Sequence, residues 1–326
     1  MARGGFVRRF VLALAIWIGC ALPVFAVCDA TPPVPASLAG ADSVADYAPA
    51  LKLCRKEGET RVAIRTMILR GEGALLLADP QTLATKLERA ACWTCADTTD
   101  EALADTRFLR AVEHAARAPD LAHRGFLSNA GLKHGERGGA YFTGDLCPSR
   151  KPLEREFLAS LGAGRTPVAL SISGLWLKRH FADYRWLTDE AARGALEITW
   201  VNHTYTHPFK KGVAEAANFL LTPGVDPDFE IEETERLLIA NGGAPSVFFR
   251  FPGLVSSSPL MKAVAAHHLI SLGADAWLAL GETARAGSII LVHPNGNEPQ
   301  GLKIFARAAA EGRLPTPFKP LEEAPE

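Results

Sequence analysis

The chain carries almost no net charge. Its 326 residues hold 35 Lys and Arg against 36 Asp and Glu, a formal charge of −1. A nucleic-acid partner wants a basic patch or stripe, so this balance argues against one. An acidic polymer substrate stays open, because a local basic groove fits inside a neutral total. No internal repeat of solenoid period is visible. Cys92-Trp93-Thr94-Cys95 is a CxxC, but no second CxxC and no His pair sits at zinc-finger spacing, which leaves a structural zinc module without support. No stable membrane span is expected in the mature chain.

The opening residues carry the clearest bulk signal. Arg3, Arg8 and Arg9 precede an almost wholly apolar run from Phe10 to Ala26, and Val24-Phe25-Ala26 ends it with small residues at the −3 and −1 positions. These three parts mark residues 1–26 as a secretory signal peptide cleaved near Ala26, and the protein as secreted or periplasmic. An uncleaved anchor is the alternative, since the run is about as long as the shortest spanning helix. Cys20 and Cys28 are both preceded by residues that match a lipidation box poorly. Cleavage leaves Cys28, Cys54, Cys92, Cys95 and Cys147. Export favours disulfides; a local Cys92–Cys95 bond is expected, and a Cys28–Cys54 bond with less reason. Five is odd, so at least one thiol stays free or pairs outside the chain.

Hydrophobic residues make up 48% of the chain, enough for a sizeable core. A Pro/Ala stretch from Thr31 to Ser37 reads as a linker. Residues 27–137 read as a mainly helical segment. Thr82–Cys92, entered through Asp79-Pro80, and Glu101–Ala116 have helical spacing, while Arg61–Leu77 is ambiguous between helix and strand. The pattern changes near Gly138. From there strand-like runs (140–143, 167–173, 197–201, 246–250, near 269–272, 288–292) alternate with helical stretches (153–161, 189–195, 228–241, 258–267, 302–310). Such alternation indicates an α/β fold with a parallel sheet or barrel over 138–315, followed by a tail at 316–326. In a (β/α) barrel the site is built at the carboxyl ends of the strands, so the chemical residues are sought there.

His203-Thr204-Tyr205-Thr206-His207 follows the strand ending at Val201, and two His four apart can face one metal. His293 follows Val292 and suits a general acid or base near neutral pH. Arg250 follows the strand at 246–249, with Pro252 and Gly253 turning the chain after it. Asp275 follows the short strand near Leu272, two residues before Trp277. Asp145 follows the strand near Phe142. Each has a plain alternative: a surface His pair, a His at a strand end, a surface Arg, a helix cap, a turn former before Pro148. Their convergence at consecutive strand ends points to an active site.

In this order the pieces resemble the polysaccharide deacetylases, the NodB-homology proteins of carbohydrate esterase family four. That family runs Thr-Phe-Asp-Asp-Gly-Pro-Ser, a helix, a strand, His-[Ser/Thr]-x-x-His, Arg-x-Pro-Tyr, an Asp…Trp segment and Leu-x-His. This chain has Thr143 to Ser149 (TGDLCPS), Val168 to Gly174, His203 to His207, Arg250 to Gly253, Asp275-Ala276-Trp277 and Leu291-Val292-His293. The resemblance covers 138–312 and implies a distorted (β/α) barrel. It also implies metal-dependent removal of acetyl from N-acetylated, less often O-acetylated, carbohydrate. By the same resemblance His203 and His207 hold a divalent metal, commonly zinc, with cobalt, nickel or manganese as alternatives. Asp145 is the base and His293 the general acid. Asp275 tunes that His, Arg250 supports the base, and Trp277, Pro252 and Tyr205 line the substrate site. The first motif departs from the pattern. Aligned without gaps, Leu146 stands where the metal-binding Asp should be. A one-residue shift makes Asp145 the ligand and leaves Gly144 in place of the base. Asp183 and Glu197 are substitutes of equal standing. Gly253 replaces the usual Tyr. Two other readings stay open: a glycan-binding pseudoenzyme, and a hydrolase of a non-sugar amide.

Overall fold

The computed structural model describes Met1 and residues 28–117, 126–135, 138–162 and 165–326. The expected signal peptide lies outside the described residues. Among these, no helix is long and apolar enough to cross a membrane.

The first part is a sheet where helices were expected. Strands β1 (Val44–Lys56), β2 (Glu59–Leu69), β3 (Glu72–Ala78), β4 (Thr85–Arg89) and β5 (Thr94–Asp97) form an antiparallel sheet in the order β4-β3-β2-β1-β5. Two-residue turns at Glu57-Gly58 and Arg70-Gly71 join the first three strands, with φ above zero at all four residues. Such turns match the right-handed twist of paired strands. The expected helix over Thr82–Cys92 is instead strand β4. Leu83 and Leu87 do stand four apart, but Leu83 has φ 68°, and Leu87 pairs with Leu76 of β3. Ladder bonds to β3 outweigh a weak local periodicity. Asp79 caps a short turn rather than a helix: its carboxylate accepts from Gln81 N at 2.8 Å and Thr82 N at 2.9 Å. Helices α1 (Asp100–Leu103) and α2 (Arg107–Ala116) fall within the stretch expected to be helical.

The disulfides also differ from expectation. Among the described residues they are Cys28–Cys92 and Cys54–Cys95, with Cys147 free and buried. The pairing follows the sheet, since Cys54 and Cys95 are cross-strand partners between β1 and β5.

The second part is the expected α/β unit. A short strand β6 (Leu127–Ser128) precedes β7 (Tyr141–Leu146), α3 (Arg155–Leu161), β8 (Thr166–Ile172), α4 (Gly174–Arg179), α5 (Phe181–Ala192), β9 (Leu196–Asn202), α6 (Pro227–Ala240), β10 (Pro245–Phe249), β11 (Val255–Ser256), α7 (Ser258–Ala266), β12 (Ile270–Ser271), β13 (Ala276–Trp277), β14 (Ile289–Val292) and α8 (Pro299–Ala310). Seven strands form one parallel sheet, β12-β10-β9-β8-β7-β14-β13, curled as a distorted barrel. Its strands are apolar and buried because helices cover the sheet. Segment 129–134 bridges residues flanking two strands on opposite sides of the sheet: Leu132 bridges Leu272, just after the edge strand β12, and His134 bridges Ser288, just before β14, the second strand from the other edge. The tail is packed rather than loose. Phe318 bridges Ala140, Leu321 and Ala324 are buried, and Arg107 donates to the carbonyls of Glu322 and Pro325.

A buried ion pair ties the two parts together. Arg65 of β2 donates to Glu235 of α6 through Nε (2.7 Å) and Nη2 (3.1 Å). Tyr47 Oη donates to the same carboxylate, and Arg65 Nη1 donates to His267 O at 2.8 Å. Both ionic side chains are essentially shielded from water. Removing one partner strands a buried charge, whereas removing both can be near neutral. Glu235→Leu is therefore expected to lower unfolding free energy by about 3–5 kcal/mol, with Arg65→Met/Glu235→Leu recovering most of it. Urea unfolding of the oxidised protein measures both; a double variant no better than the single would show that the pair itself is stabilising.

Candidate active site

Strand β7 sets the site by its alternation. Successive side chains leave a strand on opposite faces. Phe142 and Leu146 pack into the outer core with Leu158 of α3 and Phe305 of α8, whereas Thr143 and Asp145 reach Arg250. Leu146 therefore fills an apolar layer, although it aligns with a metal-binding position. The next residue, Cys147, brings its thiol to the two His of the loop after β9.

Those three side chains converge. The ligand atoms of Cys147, His203 and His207 all lie within 4.8 Å of one another, and Cys147 Sγ is 3.5 Å from His203 Nε2. A tetrahedral zinc with bonds of about 2.3 Å to sulfur and 2.05 Å to nitrogen holds those atoms about 3.6 Å apart. His203 Nδ1 donates to Arg250 O at 2.8 Å, which turns Nε2 toward the thiol. A bond of this kind from the other ring nitrogen orients a metal-binding His. His207 Nε2 is buried with no hydrogen-bond partner among the described residues, a costly state unless something binds it. The three residues thus fit a divalent metal.

The loop carrying the His pair is held by backbone rarely used outside glycine. Thr204 and His207 have φ of 67° and 48°. Such positions persist only where neighbours impose them. Here Asn202 Oδ1 accepts from Thr204 N at 3.0 Å, and the buried Glu230, in the first turn of α6, accepts from Thr206 N at 2.7 Å.

Asp145 stands beside this group. Arg250 Nη1 donates to Asp145 Oδ1 at 2.8 Å and to Thr143 Oγ1 at 2.7 Å, and Nη2 donates to Gly273 O at 2.9 Å. Asp145 Oδ2 lies 3.7 Å from His203 Nε2. Burial alone raises the Asp145 carboxyl, but Arg250, then His203 and His293, outweigh it and hold it at about 2. The Cys147 thiol is likewise raised by burial and lowered further by His207 and His203, to well below its ordinary value. A thiolate is the form that binds metal.

His293 follows β14 and faces the same cleft. Its Nδ1 is 2.8 Å from Glu298 Oε2; the contact lies off the ring's hydrogen-bonding direction, so it is an ion pair rather than an aligned bond. Burial lowers this imidazole, while Cys147 and Glu298 raise it well above the usual value. The cleft has a volume of about 630 Å³ and is walled by Phe209, Phe219, Trp277 and Glu298, with Cys147, His207 and His293 along it.

Several expected roles need correction. Asp275 does not touch His293. It accepts from Ile289 N at 3.1 Å, at the start of β14, and its other oxygen meets His134 Nδ1 at 2.8 Å. Ile289 lies four residues before His293, about 13 Å along an extended strand, and the carboxylate beside His293 is Glu298. Asp145 is not among the three converging ligand atoms: Arg250 holds its Oδ1, and its Oδ2 lies beside the group, 3.7 Å from His203 Nε2. Asp183 pairs with Arg155 and His180, and Glu197 pairs with Arg165, so neither substitutes as a ligand. Tyr205 packs over Gly174, where a Cβ would meet its ring at 2.2 Å, and against Phe229, away from the cleft wall. Pro252 is buried and its neighbour Gly253 borders the cleft. Gly253 has φ 61°, and a Cβ there would lie 2.5 Å from the Phe219 ring. Phe219 thus packs directly against Gly253. Trp277 does line the cleft, its Nε1 donating to Glu298 at 2.9 Å. Cys147 had no sequence signal beyond being one of an odd number of cysteines and standing within the degenerate first motif, and Glu298 had none beyond its place five residues after His293.

No protein-family model matches the chain. The chain is similar to solved structures described as family 4 carbohydrate esterases. One, from Streptomyces lividans in complex with acetate, is 21% identical over 56% of this chain and 92% of its own, with a TM-score of 0.37. A second, from Bacillus anthracis, is 19% identical over 64% and 92%, with a TM-score of 0.44. A third, described as a family 4 pseudoenzyme from Bacillus anthracis, is 16% identical over 61% and 69%, with a TM-score of 0.40.

Proposed function

We propose that this protein hydrolyses acetyl groups from an N-acetylated, or O-acetylated, carbohydrate outside the cytoplasm, using a divalent metal held by Cys147, His203 and His207. The observation that carries the reading is the convergence of these three ligand atoms beside an Arg250-held carboxylate, with His293 facing the same cleft. One thiolate and two imidazoles favour zinc over the harder manganese. When bound, the metal supplies a Lewis acid for the acetyl carbonyl and a lowered pKa for water. Asp145, kept ionised by Arg250, accepts the proton of the attacking water through Oδ2. A bond forms from the water oxygen to the acetyl carbon, the C–N bond breaks, and His293 delivers a proton to the departing nitrogen. Acetate and a free amine result. For an O-acetyl substrate the departing atom is oxygen and the proton path is the same. Phe209, Phe219 and Trp277 offer apolar faces for a sugar ring. The paired cysteines and the amino-terminal sequence support export to a secreted or periplasmic place.

The mature protein, stripped with a chelator, is expected to release no acetate from N-acetylglucosamine oligomers, and to regain activity with zinc or cobalt more than with nickel or manganese. Silence with all four metals, on ester as well as amide substrates, would sink the deacetylase reading in favour of a binding protein. Activity confined to non-sugar acetamides would move the substrate class instead.

A further inference from the structure

We infer that Glu298 is the positioning residue for His293, taking over the role that the sequence pattern gives to Asp275. The inference rests on the deacetylase reading only for its catalytic consequence; the pairing itself stands on geometry. Glu298 Oε2 is 2.8 Å from His293 Nδ1 and accepts from Trp277 Nε1 at 2.9 Å. The indole bond fixes the carboxylate, and the Trp277 ring lies 5.9 Å from the imidazole, tilted by 32°, so the three side chains form one packed unit on the cleft wall. The backbone supports the placement. Glu298 immediately precedes α8, whose first residue is Pro299, so the start of this helix anchors it. Asn295 Nδ2, in the intervening turn, donates to Cys147 O at 2.9 Å and ties that turn to the end of β7. Asp275 is unavailable, being held by Ile289 N and His134. A carboxylate ion-paired beside Nδ1 stabilises the imidazolium through its charge and leaves Nε2 as the atom that delivers the proton.

The consequence depends on the leaving group. An amine must be protonated as it departs, whereas a nitrophenolate leaves without a proton. Glu298→Gln is expected to lower kcat on N-acetylglucosamine oligomers ~10-fold or more, a part of the ~10²–10⁴ that a general acid supplies, with KM little changed. Cleavage of 4-nitrophenyl acetate should fall far less, and Glu298→Asp should recover part of the amide rate. An equal loss on both substrates would assign Glu298 a merely structural role and overturn the inference. A second measurement needs no turnover. With ¹⁵N-histidine labelling, the imidazole signals of His293, identified by their loss in His293→Ala, should shift in Glu298→Gln and stay put in Asp275→Asn. The reverse pattern would return the role to Asp275, and unchanged signals in Glu298→Gln would also overturn the pairing. If the wild type proves inert on both substrates, the deacetylase reading fails while the histidine signals still decide the pairing.

Discussion

Cys147→Ala should remove metal binding and activity together. Loss of an outer-shell partner costs ~10–100-fold in metal affinity or activity, and loss of one of three direct ligands should cost more. The thiol is buried and packed against both His side chains, so little else can reach the vacated position: Asp145 is held by Arg250, and Leu146 faces the outer core. Cys147→Asp is the informative companion. It restores a hard oxygen donor one residue beyond the usual position, and metal content should return with a preference shifted from zinc toward cobalt and manganese. The readouts are metal content after dialysis and the absorption of the cobalt form. A thiolate-to-cobalt charge-transfer band in the near ultraviolet should appear in the wild type and be missing from both variants. A wild type that binds cobalt without that band would show that Cys147 is no ligand.

Asp145→Asn should leave metal content near normal and cut kcat by ~10²–10⁴, the range for a positioned proton acceptor. The amide keeps the shape and can still meet Arg250, but it cannot take a proton from water. Arg250 keeps its bonds to Thr143 and Gly273 but loses its buried carboxylate partner, so a stability cost of up to about 3–5 kcal/mol is expected and unfolding is measured beside metal content and kcat. Measured together, metal content and kcat separate the roles left open in the sequence. A variant that loses its metal would make Asp145 a ligand after all. One that keeps both metal and rate would deny it the base.

Much of this site can be read along the chain because barrel chemistry recurs at strand ends. Arg250, His203 and His293 each follow a strand directly, and strands of buried apolar residues are easy to find in one dimension. The first motif was harder. Alignment without gaps put Leu146 at the ligand position, but a strand alternates its side chains, so the side chains that can share a face with Asp145 are two residues away. The amino-terminal sheet is hard to read in one dimension for a different reason. Helical spacing in Thr82–Cys92 is a local signal, and it lost to pairing with β3. The two-residue turns Glu57-Gly58 and Arg70-Gly71 were the overlooked sign of strands, since consecutive residues at positive φ ask for glycine at one of them.

By itself the sequence determined the parallel α/β unit, the His pair at a strand end and the odd number of cysteines, because periodicity and strand-end placement are written locally, while the Arg250–Asp145 relation was implied by the family resemblance. Only the tertiary structure decided which cysteine stays free, which carboxylate meets His293 and how the cystines pair. Each of those is a choice among chemically equivalent groups far apart in the chain. Asp275 and Glu298 could both serve an imidazole, and Cys92 could have joined Cys95 or Cys28. The register of β1 against β5, and the turn from β14 into α8, bring one candidate within bonding distance and carry the other away.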